Sequence, residues 1–168
     1  MGWSFEVWAA SAAVGVGATA IMDGFGVLRA RVSGQPGMNW ALVGRWLGHV
    51  ARGRWVLARP AETAAVPCEH ALGWAFHYAA GVALALGLTL LAGPGWLTDP
   101  NPFGVLSYGV ATVVAPMCTM QPGMGLGLAA CRVPQPWVAR RRSLITHLVF
   151  GVGLFVSALA LGEIRVWL

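Results

Sequence analysis

Charge is what this sequence has least of: 10% of its 168 residues are charged, and none of those is lysine, so all eleven basic residues are arginines. A soluble domain carries about a quarter of its residues as charges. That shortage, beside 57% hydrophobic residues and a mean hydropathy of +0.66, excludes a soluble fold and points to an integral membrane protein. Cysteine is scarce too. The three present, Cys68, Cys118 and Cys131, form no CxxC, which excludes a thioredoxin-like motif and argues against a disulfide framework. There is no P-loop, GxSxG, HExxH or dinucleotide fingerprint, so a kinase or hydrolase has nothing to stand on, and a binding protein is favoured over an enzyme. The opening MGWSFEVW carries Glu6 and no basic residue. A cleaved signal peptide needs a basic n-region, so the first helix is expected to stay in the mature protein.

What is abundant is long apolar runs. Four of them, residues 7–28, 71–92, 103–130 and 143–162, each approach the ~20 residues that cross ~30 Å of hydrocarbon, which predicts an all-α, integral membrane four-helix bundle in one domain. Ten of the eleven arginines lie in loops 29–67 and 131–142. The positive-inside rule makes both loops cytoplasmic and both termini exoplasmic. The net charge of +5 is then explained by topology, and no nucleic-acid partner is implied. Within the longer loop Asn39 is placed to cap a helix over residues 39–57. Trp40, Val43, Leu47 and Val50 form its apolar stripe, with Arg45, His49 and Arg52 on another face, the pattern of an interfacial helix between spans one and two. His49 is expected in solvent, and Arg45, Arg52, Arg54, Arg140, Arg141 and Arg142 at lipid headgroups. Ser143 is the expected N-cap of the fourth span.

The third span is the odd one. Its stretch APMCTMQPGMGLGLAAC, residues 115–131, contains Pro116 and Pro122, and a proline inside a helix leaves the carbonyl four residues earlier without its donor. In hydrocarbon such breaks persist only where protein or water satisfies the freed group. Gln121 sits beside the second break. Met117, Met120, Gln121, Met124 and Cys131 recur at helical spacings as one soft, polarisable stripe.

Converted to depth, Asp23, Glu69, His70, His77, Gln121, Met124 and His147 all lie within roughly 15 Å of the cytoplasmic side. Ionisable groups inside spans are functional hypotheses by default. Asp23 or Glu69 with His77 and His147 would suit a borderline divalent metal. Met117, Cys118, Met120, Met124 and Cys131 offer soft sulfur for copper(I). His77 and His147 are alternatively axial ligands for a b-type haem, or partners of a quinone. The leading expectation is a metal or proton site of Asp23, Glu69, His77, Gln121 and His147 that binds or passes a small cation; the plainer alternative is a structural or assembly subunit whose polar groups stitch the bundle together.

The blocks NWALVGRWLGH (39–49), ALGWAFHYAAG (71–81), QPGMGLGLAA (121–130) and RSLITHLVFGVGL (142–154) resemble those of a family of small bacterial inner-membrane proteins classed as a domain of unknown function. The resemblance implies four helices in the bacterial inner membrane and no established activity. Small-residue tracks at Gly15, Gly17, Gly123, Gly127 and Gly151 lead us to expect, besides lipid, a homo-oligomer or docking on a larger membrane complex.

Overall fold

The computed structural model describes residues 3–166, with side chains described up to Gly162. All regular structure in it is helical: α1 (Phe5–Ser33), α2 (Trp40–Val50), α3 (Glu69–Ala92), α4 (Pro102–Ala111), α5 (Val114–Cys118), α6 (Met120–Gly123) and α7 (Pro136–Val166). Four stretches, Phe5–Ser33, Glu69–Ala92, Pro102–Gly123 and Pro136–Gly162, are long and apolar enough to cross a membrane. The protein is a membrane protein of four spans.

The chain divides into two compact units, one of Met1–Gln35, Tyr78–Thr112 and Ile145–Leu168, the other of Pro36–His77 and Val113–Leu144. The first unit takes a portion of every span and is a four-helix bundle around Val7, Val14, Ala18, Ala85, Phe150 and Leu154. Lipid tails are as apolar as leucine, so burial alone does not hold such helices together; close van der Waals packing and interhelical hydrogen bonds do. Both are present. A Cβ on Gly15 would strike the Val82 backbone, one on Gly17 the Ser157 hydroxyl, and one on Gly151 the backbone of Leu106 and Gly109. These small-residue tracks, expected to receive a neighbouring chain, are filled from inside the unit.

The hydrogen bonds centre on Thr89, which is fully buried. Its hydroxyl donates to the Ala85 carbonyl at 3.1 Å, accepts the Trp96 indole N–H at 2.9 Å and lies 2.7 Å from the Ser11 hydroxyl. Removing it orphans the indole. Thr89→Val, nearly isosteric, is therefore expected to cost ~1–3 kcal/mol, the range for stranding a buried donor. Thermal unfolding in detergent checks this, with Thr89→Val/Trp96→Phe as the second arm. If the double variant is no better than the sum of the singles, the Thr89–Trp96 bond is not the source of the loss.

The second unit is a small core of Val43, Trp46, Leu57 and Met124. Asn39 does cap α2, its side chain accepting from the Ala41 N–H, but the helix ends at Val50 instead of running to residue 57. There the N–H groups of Arg52 and Arg54 both turn back to the His49 carbonyl and Gly53 takes a left-handed φ of 80°, so the chain reverses. The fourth span also starts earlier than Ser143. Proline at a first helical position loses no hydrogen bond and presets φ, so Pro136 opens α7 and Arg140, Arg141 and Arg142 lie inside it. The third span breaks as its prolines require. Helix stops at Ala111, resumes over Val114–Cys118 and Met120–Gly123, and gives way to Gly125 and Gly127, both at φ 77°. Gly123 and Gly127 thus share no helix, and the small-residue track expected of them is broken.

Candidate functional site

Each polar group singled out along the spans has a definite setting in its own unit. In the first, Tyr78 Oη donates to Asp23 Oδ2 at 3.0 Å. His147 Nδ1 lies 2.7 Å from the Thr112 hydroxyl, whose own proton goes to the Gly109 carbonyl. With the Thr112 proton so placed, His147 donates from Nδ1.

In the second unit the face His70, Trp74, His77 is present on α3. Trp74 Nε1 donates to His70 Nε2 at 3.2 Å, and the 7%-exposed His77 stacks on Trp40 of α2, ring centroids 4.0 Å apart and 26° between planes. Trp74 closes the group, 5.7 Å from Trp40 and 5.8 Å from His77. These rings meet because α2 and α3 cross with their backbones touching. A Cβ on Gly44 would overlap the Glu69 carbonyl, and one on Gly73 the Trp40 carbonyl.

That crossing widens the buried side of α2 beyond the expected stripe, of which Val43 is buried and Trp40, Leu47 and Val50 pack against the same core. Val43, Gly44, Trp46 and His49 are its buried residues, and His49, expected in solvent, is held by the Ala64 carbonyl at 2.9 Å. Arg45, expected at lipid headgroups, is turned inward instead. Its Nε and Nη2 grip both oxygens of Glu69 at 2.8 Å, and its Nη1 donates to the carbonyls of Pro60, Ala61 and Thr63. The Glu69 hydrogen bonds raise the Arg45 pKa above its ordinary value, so the guanidinium is a permanent charge. Arg140 likewise donates to the Ala129 carbonyl at 2.8 Å. Arg52, Arg54, Arg141 and Arg142 are the exposed members of the expected headgroup set.

Among the described residues no group of three or more His, Cys, Asp or Glu side chains is arranged to hold a metal ion. Asp23 and His147 belong to one unit and Glu69, His77 and Gln121 to the other, and Glu69 already has both carboxylate oxygens on Arg45. The sulfur stripe is broken up as well. Cys118 and Cys131 are exposed, whereas Met124 is buried against Trp46 and Leu57 with Met120 beside it, because a stripe over residues 117–131 needs one unbroken helix.

Gln121 differs from all of these. It is 6% exposed, its Nε2 donates to the Ser143 hydroxyl at 3.3 Å, and its Oε1 is buried with no hydrogen-bond partner among the described residues. Unsatisfied buried acceptors are rare and cost ~1–3 kcal/mol each. The irregular backbone around it is built, not loose: Leu57 N–H donates to the Gly123 carbonyl at 2.7 Å, Leu126 N–H to the Gln121 carbonyl and Arg132 N–H to the Leu126 carbonyl, both at 2.9 Å. What sequence reasoning missed here is Arg45 and the Gly44–Gly73 crossing; the signal available was a glycine facing the apolar side of an otherwise bulky interfacial helix.

Residues 12–161 match the model of a family described as a protein of unknown function (DUF2938). No curated protein and no solved structure matches the chain.

Proposed function

We propose a function from geometry, because the chain belongs to the DUF2938 family and that family is described only as a protein of unknown function. The reading is a small inner-membrane protein that binds or translocates a small, hard cation at its interrupted third span, with Gln121 Oε1 as a ligand. The observation that carries it is the buried, unpartnered Oε1 beside a helix break. Pro122 has no N–H, so the Cys118 carbonyl also lacks its helical donor. Neutral amide and carbonyl oxygens suit a proton-bearing or alkali or alkaline-earth ion better than copper or zinc, which favour sulfur and nitrogen. Interrupted helices line the ion sites of transporters for the same reason, since unwound carbonyls supply the ligands. With arginine-rich loops facing the cytoplasm, the site lies on the cytoplasmic side and both termini outside.

Gln121→Leu tests this. Removing an orphan acceptor should leave the melting temperature unchanged or higher, while proteoliposome flux of Na⁺, K⁺ or protons falls to the level of empty vesicles. Wild-type flux no greater than that of empty vesicles for every ion, with no metal in the purified protein, would sink the reading. A Soret band or a copurified quinone would replace it.

A structural or assembly subunit is the second reading, favoured by one observation: Asp23, Glu69 and His147 each have a hydrogen-bond partner within their own unit. It expects substitutions there to change stability and nothing else.

A further inference from the structure

The first unit contains a groove of about 460 Å³ where the chain turns from α3 to α4, within the ~300–1,000 Å³ of ligand pockets. Leu88, Ala92 and Val105 give it apolar walls, and the buried Trp96 lies beneath. The neighbouring polar side chains are engaged inside the protein. Thr98 Oγ1 donates to the Gly95 carbonyl at 3.0 Å, Asn101 Oδ1 caps α4 through the Gly104 N–H at 2.9 Å, and the Trp96 N–H is on Thr89. Asp99 is the exception. It is the one charged residue of the lining, and among the described residues no donor or cation engages its carboxylate.

One anionic group above apolar walls complements a cation carrying an alkyl portion. We propose that this groove binds an alkylammonium group, the nitrogen on the Asp99 carboxylate and the hydrocarbon along Leu88, Ala92 and Val105. Two sources carry that chemistry, the amine of an aminophospholipid and a soluble alkylamine. The site is independent of Gln121, which lies in the other unit.

The test uses the full chain in lipid nanodiscs. One arm measures retained lipid by native mass spectrometry from a mixture of phosphatidylethanolamine and phosphatidylglycerol; the other titrates hexylamine calorimetrically in phosphatidylglycerol alone. At least one arm should show binding that falls roughly tenfold or more in Asp99→Asn, as expected when a charge-assisted hydrogen bond is lost. Gly95→Leu should abolish it, because a Cβ at Gly95 meets nothing within 4 Å and leucine can fill the groove without moving the backbone. Binding in the first arm alone identifies the lipid, and in the second alone the soluble amine. Phosphatidylethanolamine retention that hexylamine displaces identifies one site open to both. No preference in either arm, or preference that survives both substitutions, overturns the proposal, and Gln121→Leu should leave either arm unchanged.

Discussion

Gly44→Ala and Gly73→Ala are each expected to destabilise the protein at or above the upper end of the ~1–3 kcal/mol that overpacking costs. The added methyl at residue 44 would overlap the Glu69 carbonyl, and that at residue 73 the Trp40 carbonyl. A side chain can rotate away from such a clash, but a carbonyl held in a helix cannot. The two helices must therefore separate, and with them go the Trp40–His77 stack and the alignment of Arg45 with Glu69. Unfolding followed by tryptophan fluorescence in detergent gives the measurement. Gly24→Ala is the control, since a Cβ there meets nothing within 4 Å and alanine is the better helix former by ~0.5–1 kcal/mol. If Gly44→Ala and Gly73→Ala melt like Gly24→Ala, the helices do not touch at their backbones.

Arg45→Ala is the second large effect. Five hydrogen bonds go at once, two to Glu69 and three to carbonyls of residues 60–63, and Glu69 is left with the Val66 N–H at 3.2 Å. The side chains of this pair are 14% and 18% exposed. A charge stranded at such a site costs far more than a surface pair is worth. Arg59 and Glu62 provide the contrast, paired at 3.1 Å but 75% and 68% exposed. The expected order of destabilisation is Arg45→Ala, then Arg45→Lys, whose single ammonium cannot grip two oxygens in parallel, then Arg59→Ala near zero. Limited proteolysis should follow the same order, because Arg45 is what fastens residues 60–63 to α2. Arg45→Ala no more protease-sensitive than Arg59→Ala would show that the segment is held by other means.

These two predictions also mark where local pattern stops being informative. Helix existence was legible along the spans because a bilayer demands ~20 apolar residues wherever a helix crosses it. The break in the third span was legible because proline lacks a donor in any surroundings. The Asn39 cap was legible since its partner, Ala41, is two residues away. The facing of α2 was not. Its apolar residues permit more than one buried side, and Gly44, which carries no hydropathic signal of its own, admits α3 on the side that also buries His49 and turns Arg45 inward.

The candidate site divides in the same way. Gln121 beside a proline break stood out in the sequence because an amide in an apolar run is anomalous wherever the chain folds. That its Oε1 finds no donor among the described residues, while Asp23 finds Tyr78 at a sequence separation of 55 and His147 finds Thr112 at one of 35, depends on which helices lie side by side. Composition and period by themselves determined the membrane, the number of spans and the place of the break, because each follows from the solvent or from one residue's covalent structure. Only tertiary structure decided which polar groups satisfy one another, because hydrogen bonds reach about 3 Å and no sequence separation of 24, 55 or 78 residues says which groups come that close.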